Sequence, residues 1–444
     1  MLRTRNEQTS LWESVLPEVC LRLPAELARV DGWLDDERFF APLRAHFDPR
    51  LGRASIPTET YLRLMFLKHR YRLGYETLCA EVTDSISWRR FCRIDIDGKV
   101  PHPTTLMKIT TRCGDDAVAA LNEALLAKAV EHKLVKTGKV RADTTVVSAN
   151  VEYSTDAGLL AKAVGRIGRV VARIKAAGAA ARTVFRDRRR TAARRMRELT
   201  SKLDLRGAVN RDETKQAVTR ITGQLATLAT QAAGRAQAVL RNAKRALGKT
   251  CGRVAGRIRR AVNELTTLIA RTGRIVEHTR RRLAGDMPES ATRLVSLHDP
   301  DARAIAKGRI NKPVEFGYKA QVVDNEDGIV VDYTVEQGNP ADAPQLAPAI
   351  ARIKQRTGLG PREATADRGY GEAKVDDDLH ELGVKTVAIP RKGKTNQTRR
   401  RREHRAVFRE LVKWRTGCEG RISHLKHRYG WDRTRLDGLA GART

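Results

Sequence analysis

The sequence predicts an α/β domain that is interrupted by a large helical insertion and preceded by an all-α module. Three observations predict it. From residue 311 onward, short β-branched runs alternate with helical stretches, and glycines mark several of the junctions. A separate β-branched run, Val140 to Val147, stands far upstream of them behind a glycine-containing turn. The long stretches before and between these parts carry helical periodicity without strand signals.

Taken in order, residues 1–55 hold short apolar pieces and the aromatics Trp12, Trp33, Phe39 and Phe40, and suggest helices and loops. Pro57-Thr58-Glu59 opens a helix, PTETYLRLMFLKHRYR, with Leu62, Met65, Phe66 and Leu67 near helical spacing and Gly74 as its stop. YETLCAEVTDS and SISWRRFCRI give two further helices, and a longer one runs from about Thr104 to Leu134. Short helices, tight turns and exposed Arg and Lys fit a helix-turn-helix-like module, and equally an ordinary helical bundle. The run at 140–147 is read as a buried strand with Asp143 at its middle. Residues 155–285 read as helical almost throughout, rich in Ala, Arg, Leu and Thr, with no clean heptad. From 311, FGYKAQVVDNEDGIVVDYTVEQGN reads as a hairpin turning at Asn325-Glu326-Asp327-Gly328. A helix closed by Gly358, a strand ending at Asp367, a helix, a strand (VKTVAIPRK), a basic loop (391–405) and a last helix (408–430) follow. The expected units are 1–135, 136–154, 155–295 and 296–444.

Composition narrows the partners. The net charge is +33, and 41% of the 444 residues are hydrophobic, enough for a sizeable core. Residues 161–285 hold 32 Lys and Arg against 7 Asp and Glu, so 25 of the excess charges sit there. Such an excess repels itself unless a polyanion lies along it, which favours nucleic acid over an anionic membrane surface. No stretch reaches the roughly 18 apolar residues of a membrane span, and the N-terminus lacks a signal-peptide core. These features place the protein in the cytoplasm, on or near DNA. Six scattered cysteines without a CxxC pair argue against a zinc site or a disulfide framework.

The last helix carries the sharpest local signal. At about 100° per residue, Arg415 and Lys426 fall within roughly 40° of Glu419. One face then shows Arg, Glu and Lys in a row, or simply a solvated helix with i,i+4 ion pairs. Gly417 and Gly420 flank the acid, which weakens the helix and suggests room for a ligand. Without the insertion, the order is β-β-β-α-β-α-β-α, a mixed sheet covered by helices. Its first and fourth strands are expected as neighbours, so Asp143 meets Asp367 and the last helix brings in Glu419. Three such carboxylates suit two Mg²⁺ about 3.5–4 Å apart, the arrangement for in-line phosphoryl transfer.

RADTTVV, ADRGY and R-x3-E-x6-K (Arg415, Glu419, Lys426) together resemble the three acidic motifs of bacterial insertion-sequence transposases of the DDE type. The stretch from PTETYLRLMFLKHRYR to PHPTTLMK is similar to their helical N-terminal domain, and the nearest likeness is to the not-yet-classified (ISNCY) group. Two departures stand out: Val412 occupies the place of a usual Tyr, and a final apolar helix is expected beyond LDGLAGART. The resemblance implies an α/β RNase H-like catalytic domain and an all-α N-terminal DNA-binding domain. It implies Asp143, Asp367 and Glu419 as catalytic metal ligands for Mg²⁺ or Mn²⁺. Arg415, Lys426, Arg368, Tyr370 and Lys319 become DNA contacts, with Tyr370 either orienting its turn or stacking on DNA. Asp332 and Glu315 rank below the triad. The implied partners are double-stranded DNA, as terminal inverted repeats and target, and a second copy of the chain. Two alternatives stay open: a catalytically inactive or truncated relative that only binds DNA, and a nuclease without strand transfer.

Overall fold

The computed structural model describes residues 2–5, 15–151, 155–204, 211–289, 291–306 and 314–444. Trp12 and the first residues of the 311 segment lie outside the described residues.

The N-terminal part is helical: α1 (Ala25–Leu34), α2 (Thr58–Arg70), α3 (Tyr75–Asp84), α4 (Ile86–Phe91) and α5 (Pro103–Glu131). Leu64, Leu67, Leu78, Val82, Phe91 and Leu106 close its core. Arg63 is completely buried in it, its guanidinium over the Phe91 ring and bonded to Glu59 (3.1 Å) and Asp31. Two boundaries differ from expectation. Gly74 starts α3 as its N-cap and does not end α2, which stops at Arg70. The long helix is broken at Gly114, whose φ of 62° and ψ of −161° suit only glycine, so two shorter helices meet there.

The sheet has β1 (Lys139–Ser148) at its centre. β3 (Val314–Asn325) pairs antiparallel to it on one side, and β4 (Val330–Gln337) pairs antiparallel to β3. On the other side β5 (Glu363–Ala366) runs parallel to β1, and β6 (Thr386–Ala388) parallel to β5. The hairpin closes at the expected residues, with Gly328 at φ 75°. One strand was not foreseen: β2 (Arg303–Ala306), four residues pairing with the start of β3. Alternation along β1 separates two faces. Val140 and Ala142 join Leu346, Ile350, Val375 and Leu379 of α10 (Ala343–Thr357) and α11 (Ala373–Glu381). Arg141 and Asp143 face the other way, toward α13 (Ala406–Tyr429), which packs through Phe408, Leu411, Cys418 and Ile422. The basic segment expected as a loop contains a short helix, α12 (Gln397–Glu403), stabilised by buried Arg399 between Asp376 and Glu403. The chain ends in α14 (Gly438–Arg443).

Between β1 and β2 stand α6 (Asp156–Ala176), α7 (Arg189–Asp204), α8 (Arg211–Leu247) and α9 (Gly252–Leu283). Apolar stripes close them into a bundle with two cores of their own. Among the described residues no helix is long and apolar enough to cross a membrane.

Candidate active site

The site forms in a notch of the sheet. Pairing of β1 with β5 ends at Ala142 opposite Ala366, and the next residues of the two parallel strands are Asp143 and Asp367. Parallel neighbours stand about 4.8 Å apart, so the fold sets these acids side by side where β5 stops and β1 continues. Asp143 accepts a hydrogen bond from the Thr144 N–H (2.7 Å). Burial, with Asp367 and Glu419 nearby, pushes its carboxyl up to about 6. Burial and the Asp342 carboxylate raise Asp367 as well. Asp367 Oδ1 is buried and has no hydrogen-bond partner among the described residues. An orphaned carboxylate oxygen in such a place is costly unless a cation or donor meets it.

Glu419 comes across on α13, with its side chain 64% exposed. Between it and the strand lies Arg415, which donates to Asp143 Oδ2 (3.2 Å) and to Glu419 Oε1 (3.1 Å). Lys426 turns off this face and donates to the Val146 carbonyl (2.7 Å), pinning the end of α13 to β1. Arg141, which the sequence reasoning passed over, sets the register of α13. It makes a two-point pair with fully buried Asp324 (2.8 Å each), donates to the Trp414 carbonyl (2.7 Å) and lies over the Trp414 ring. Trp414 precedes Arg415, so this anchor places the bridging guanidinium. Gly417 exists for the same contact: a Cβ there would lie 2.2 Å from Arg141 Nη1. The idea that Gly417 opens the backbone to a ligand is thus corrected, whereas Gly420 faces open space. Val412 packs beside Phe408 and Trp414.

A fourth carboxylate joins the site. Asp342, just before α10, pairs with Lys319 (2.7 Å) and makes no capping hydrogen bond with that helix. A Cβ on Gly369 would come within 2.8 Å of Asp367 Oδ1 and 3.0 Å of Asp342 Oδ2, so both acids converge on that glycine. In sequence, an Asp before a helix reads as a cap, and nothing local reveals the convergence. Lys319 also donates to the Pro340 carbonyl (2.7 Å) and is largely buried, held within the acid cluster. Tyr370 is fully buried, and its hydroxyl donates weakly to Gln321 (3.4 Å), so stacking on DNA is ruled out and the turn-orienting role is left to it. Arg368 is exposed and ties the basic loop through the Arg391 and Gly393 carbonyls. Asp332 is a structural acid, buried between Arg352 and Arg356.

The donor set is all carboxylate oxygen, which suits a hard divalent cation such as Mg²⁺ or Mn²⁺. Asp143 and Asp367, with the orphaned Oδ1, fit one. With Arg415 lying against Glu419, no three His, Cys, Asp or Glu among the described residues stand together as a ready metal cage.

Comparison with known families decides the class. The transposase DDE domain matches residues 291–444, a span that contains Asp367 and Glu419, and a transposase domain (DUF772) matches residues 20–112. The chain belongs to the DDE transposases. In this transposase the DDE match leaves out Asp143 and the helical insertion, which lie upstream of it. No curated protein and no solved structure matches the chain.

Proposed function

We propose that this transposase binds the terminal inverted repeats of its own element, cleaves there with a divalent cation, and joins the freed 3′-OH ends to target DNA. The observation that carries the reading is the notch: two acids at adjacent strand positions, one with an orphaned oxygen, under a helix bearing Arg415 and Glu419. The strand order β3-β1-β5-β6 with its antiparallel hairpin supports an RNase H-like catalytic domain. Asp143 and Asp367 would hold the cation, with Glu419 completing the set once Arg415 turns away. A bound Mg²⁺ or Mn²⁺ supplies the charge that makes water or a 3′-OH a competent nucleophile.

The remaining steps belong to the chain. Arg415 keeps Asp143 and Glu419 from repelling each other while the site is empty of DNA, then serves as a donor to the scissile phosphate. Lys319 neutralises Asp342 and so limits the negative charge beside Asp367. Arg141 fixes the helix so that these groups meet without rearrangement of the backbone. The N-terminal helices and the Arg-rich bundle supply phosphate contacts, which give affinity without sequence information. Pairing two element ends calls for at least a dimer.

A strand-cleavage assay on a duplex carrying the element's end tests this. Cleavage products with 3′-OH ends are expected with Mg²⁺, none with EDTA, and none with Asp143→Asn or Glu419→Gln, while DNA binding persists in both variants. Full-rate cleavage by either variant would sink the assignment.

A further inference from the structure

A cavity of about 480 Å³ opens where the end of α2 meets the C-terminal end of α13. That volume is typical of pockets for drug-sized ligands, roughly 300–1,000 Å³, so a phosphate group enters it with room to spare, between apolar walls such as Met107, Val118 and Trp431. Five of its lining residues are Lys or Arg, and none is Asp or Glu. Lys68 is the telling one. It is only 8% exposed, and its ammonium rests over the Tyr75 ring at 4.7 Å. No carboxylate pairs with it among the described residues. Other buried cations meet an acid, as Arg63 has Glu59 and Asp31, Arg141 has Asp324 and Arg399 has Asp376, or backbone carbonyls, as Arg303 has those of Ala291, Pro300 and Ala302. An ammonium held this close to the interior, with a ring beside it and no acid among the described residues, is favoured by an anion that enters the cavity.

Two more cations converge on the same place. A Cβ on Gly430 would lie 3.5 Å from Arg72 Nε and 3.6 Å from Arg435 Nη2. Arg72 is steadied by one hydrogen bond to the His427 carbonyl (3.0 Å). Arg435 has no acidic partner among the described residues, and with burial its charge lowers the Lys68 ammonium below the usual range. The cluster therefore joins one buried cation to two exposed ones around a space ample for a phosphate group. It also has a fixed place relative to the acids, because Gly430 follows Glu419 by eleven positions at the end of one helix. At 1.5 Å per residue this is about 16 Å. One strand of DNA carries a phosphate every ~3.4 Å of axis, so for a helix laid along that axis the span is about four to five nucleotides.

We propose that this cavity clamps a single backbone phosphate of bound DNA, about four to five nucleotides from the scissile one, through Lys68, Arg72 and Arg435. The inference rests on the reading that the chain acts on DNA, and it adds a specific contact made jointly by the N-terminal helices and the catalytic part. It fixes the spacing between the segment held by the N-terminal helices and the cleaved bond.

The test is a methylphosphonate scan. Duplexes carrying the element's end, each with one phosphate made neutral, are titrated against wild-type protein, Lys68→Met and Arg435→Gln. Wild-type binding should weaken on the order of tenfold at one position, the loss of one charge-assisted contact. Arg435→Gln should erase that dip at that position alone and lower the salt slope by about one. Arg435 is exposed, so this variant keeps its fold, and Lys68→Met keeps an unbranched side chain in the same place without the charge. A scan identical in wild type and both variants overturns the clamp. Saturable binding of inorganic phosphate that Arg435→Gln abolishes, with no Arg435-dependent position in the scan, also overturns it and leaves a free-anion site. An Arg435-dependent dip in a protein that never cleaves upholds the clamp while the enzymatic reading fails. Absence of any DNA binding removes both.

Discussion

Asp143 should make the metal-free transposase less stable as pH rises, opposite to the usual behaviour of a paired carboxylate. Its carboxyl is raised from 3.8 to about 6 by burial and by Asp367 and Glu419. A raised acid binds more protons in the folded state than in the unfolded state across this window. Its favourable contribution is therefore complete below about pH 4 and lost as pH climbs past 6. At 1.36 kcal/mol per unit, the loss is about 3 kcal/mol, and the side chain is only 13% exposed, so solvent screening removes little of it. The assay is urea unfolding in EDTA, wild type against Asp143→Asn, from pH 4 to 7.5. The difference between the two proteins isolates this group from all others that titrate. The variant should gain stability relative to wild type by about 3 kcal/mol over that range. Added Mg²⁺ should stabilise the wild type more at pH 7.5 than at pH 5, because only the ionised acid binds it. Parallel pH profiles for the two proteins, or a metal effect that grows on acidification, would refute the reasoning.

Four further outcomes are expected. Gly417→Ala should displace Arg141 and cut the cleavage rate more than DNA affinity, with about 1–3 kcal/mol of stability lost. Gly420→Ala, facing open space, should leave cleavage intact and stabilise the helix by roughly 0.5–1 kcal/mol, as thermal melts of the pair would show. Asp342→Asn should bring the Asp367 carboxyl back toward its ordinary range, read by carbon NMR of the labelled side chain; an unmoved Asp367 counts against the shared cluster. Arg63→Met should leave buried Glu59 with the partly exposed Arg93 (3.2 Å) as its remaining cation among the described residues and cost the N-terminal helices up to about 3 kcal/mol, seen as a lower midpoint in urea.

Legibility in the sequence followed how local each cause is. The hairpin at 314–337 was readable because alternation and a glycine turn lie within a few residues of each other. The same holds for α10 and its Gly358 stop. The meeting of Asp143 with Asp367 could be deduced because pairing the first strand with the fourth puts the middle of one beside the end of the other. Causes that span the chain were not readable. Gly417 answers to an arginine 276 positions upstream, and α12 forms because Asp376 and Glu403 neutralise Arg399. Tyr370 follows the second acid like an exposed aromatic, but a close approach of Gly371 to Pro390 folds the turn inward. Gly114 sits in an otherwise helical run, and a sequence does not state that a glycine adopts positive φ. The four residues of β2 are too few to show a period.

The charge of the site runs against that of the whole molecule, and this contrast constrains the chemistry. The chain carries +33, a field that draws DNA phosphates toward its surface. At the notch, however, Asp143, Asp367, Asp342 and Glu419 gather, and the cations seen to touch them are Arg415 and Lys319. With all four acids ionised, that group carries a net charge of −2. A phosphodiester brought there by the outer field would meet repulsion at the point where it must react. Protonation relieves part of this below about pH 6, but it also removes the ligands a cation needs. A divalent cation balances the deficit with the acids still ionised, and it would free Arg415 to face the substrate. The same geometry thus explains why Arg415 bridges Asp143 and Glu419 and why DNA and metal should bind with mutual reinforcement.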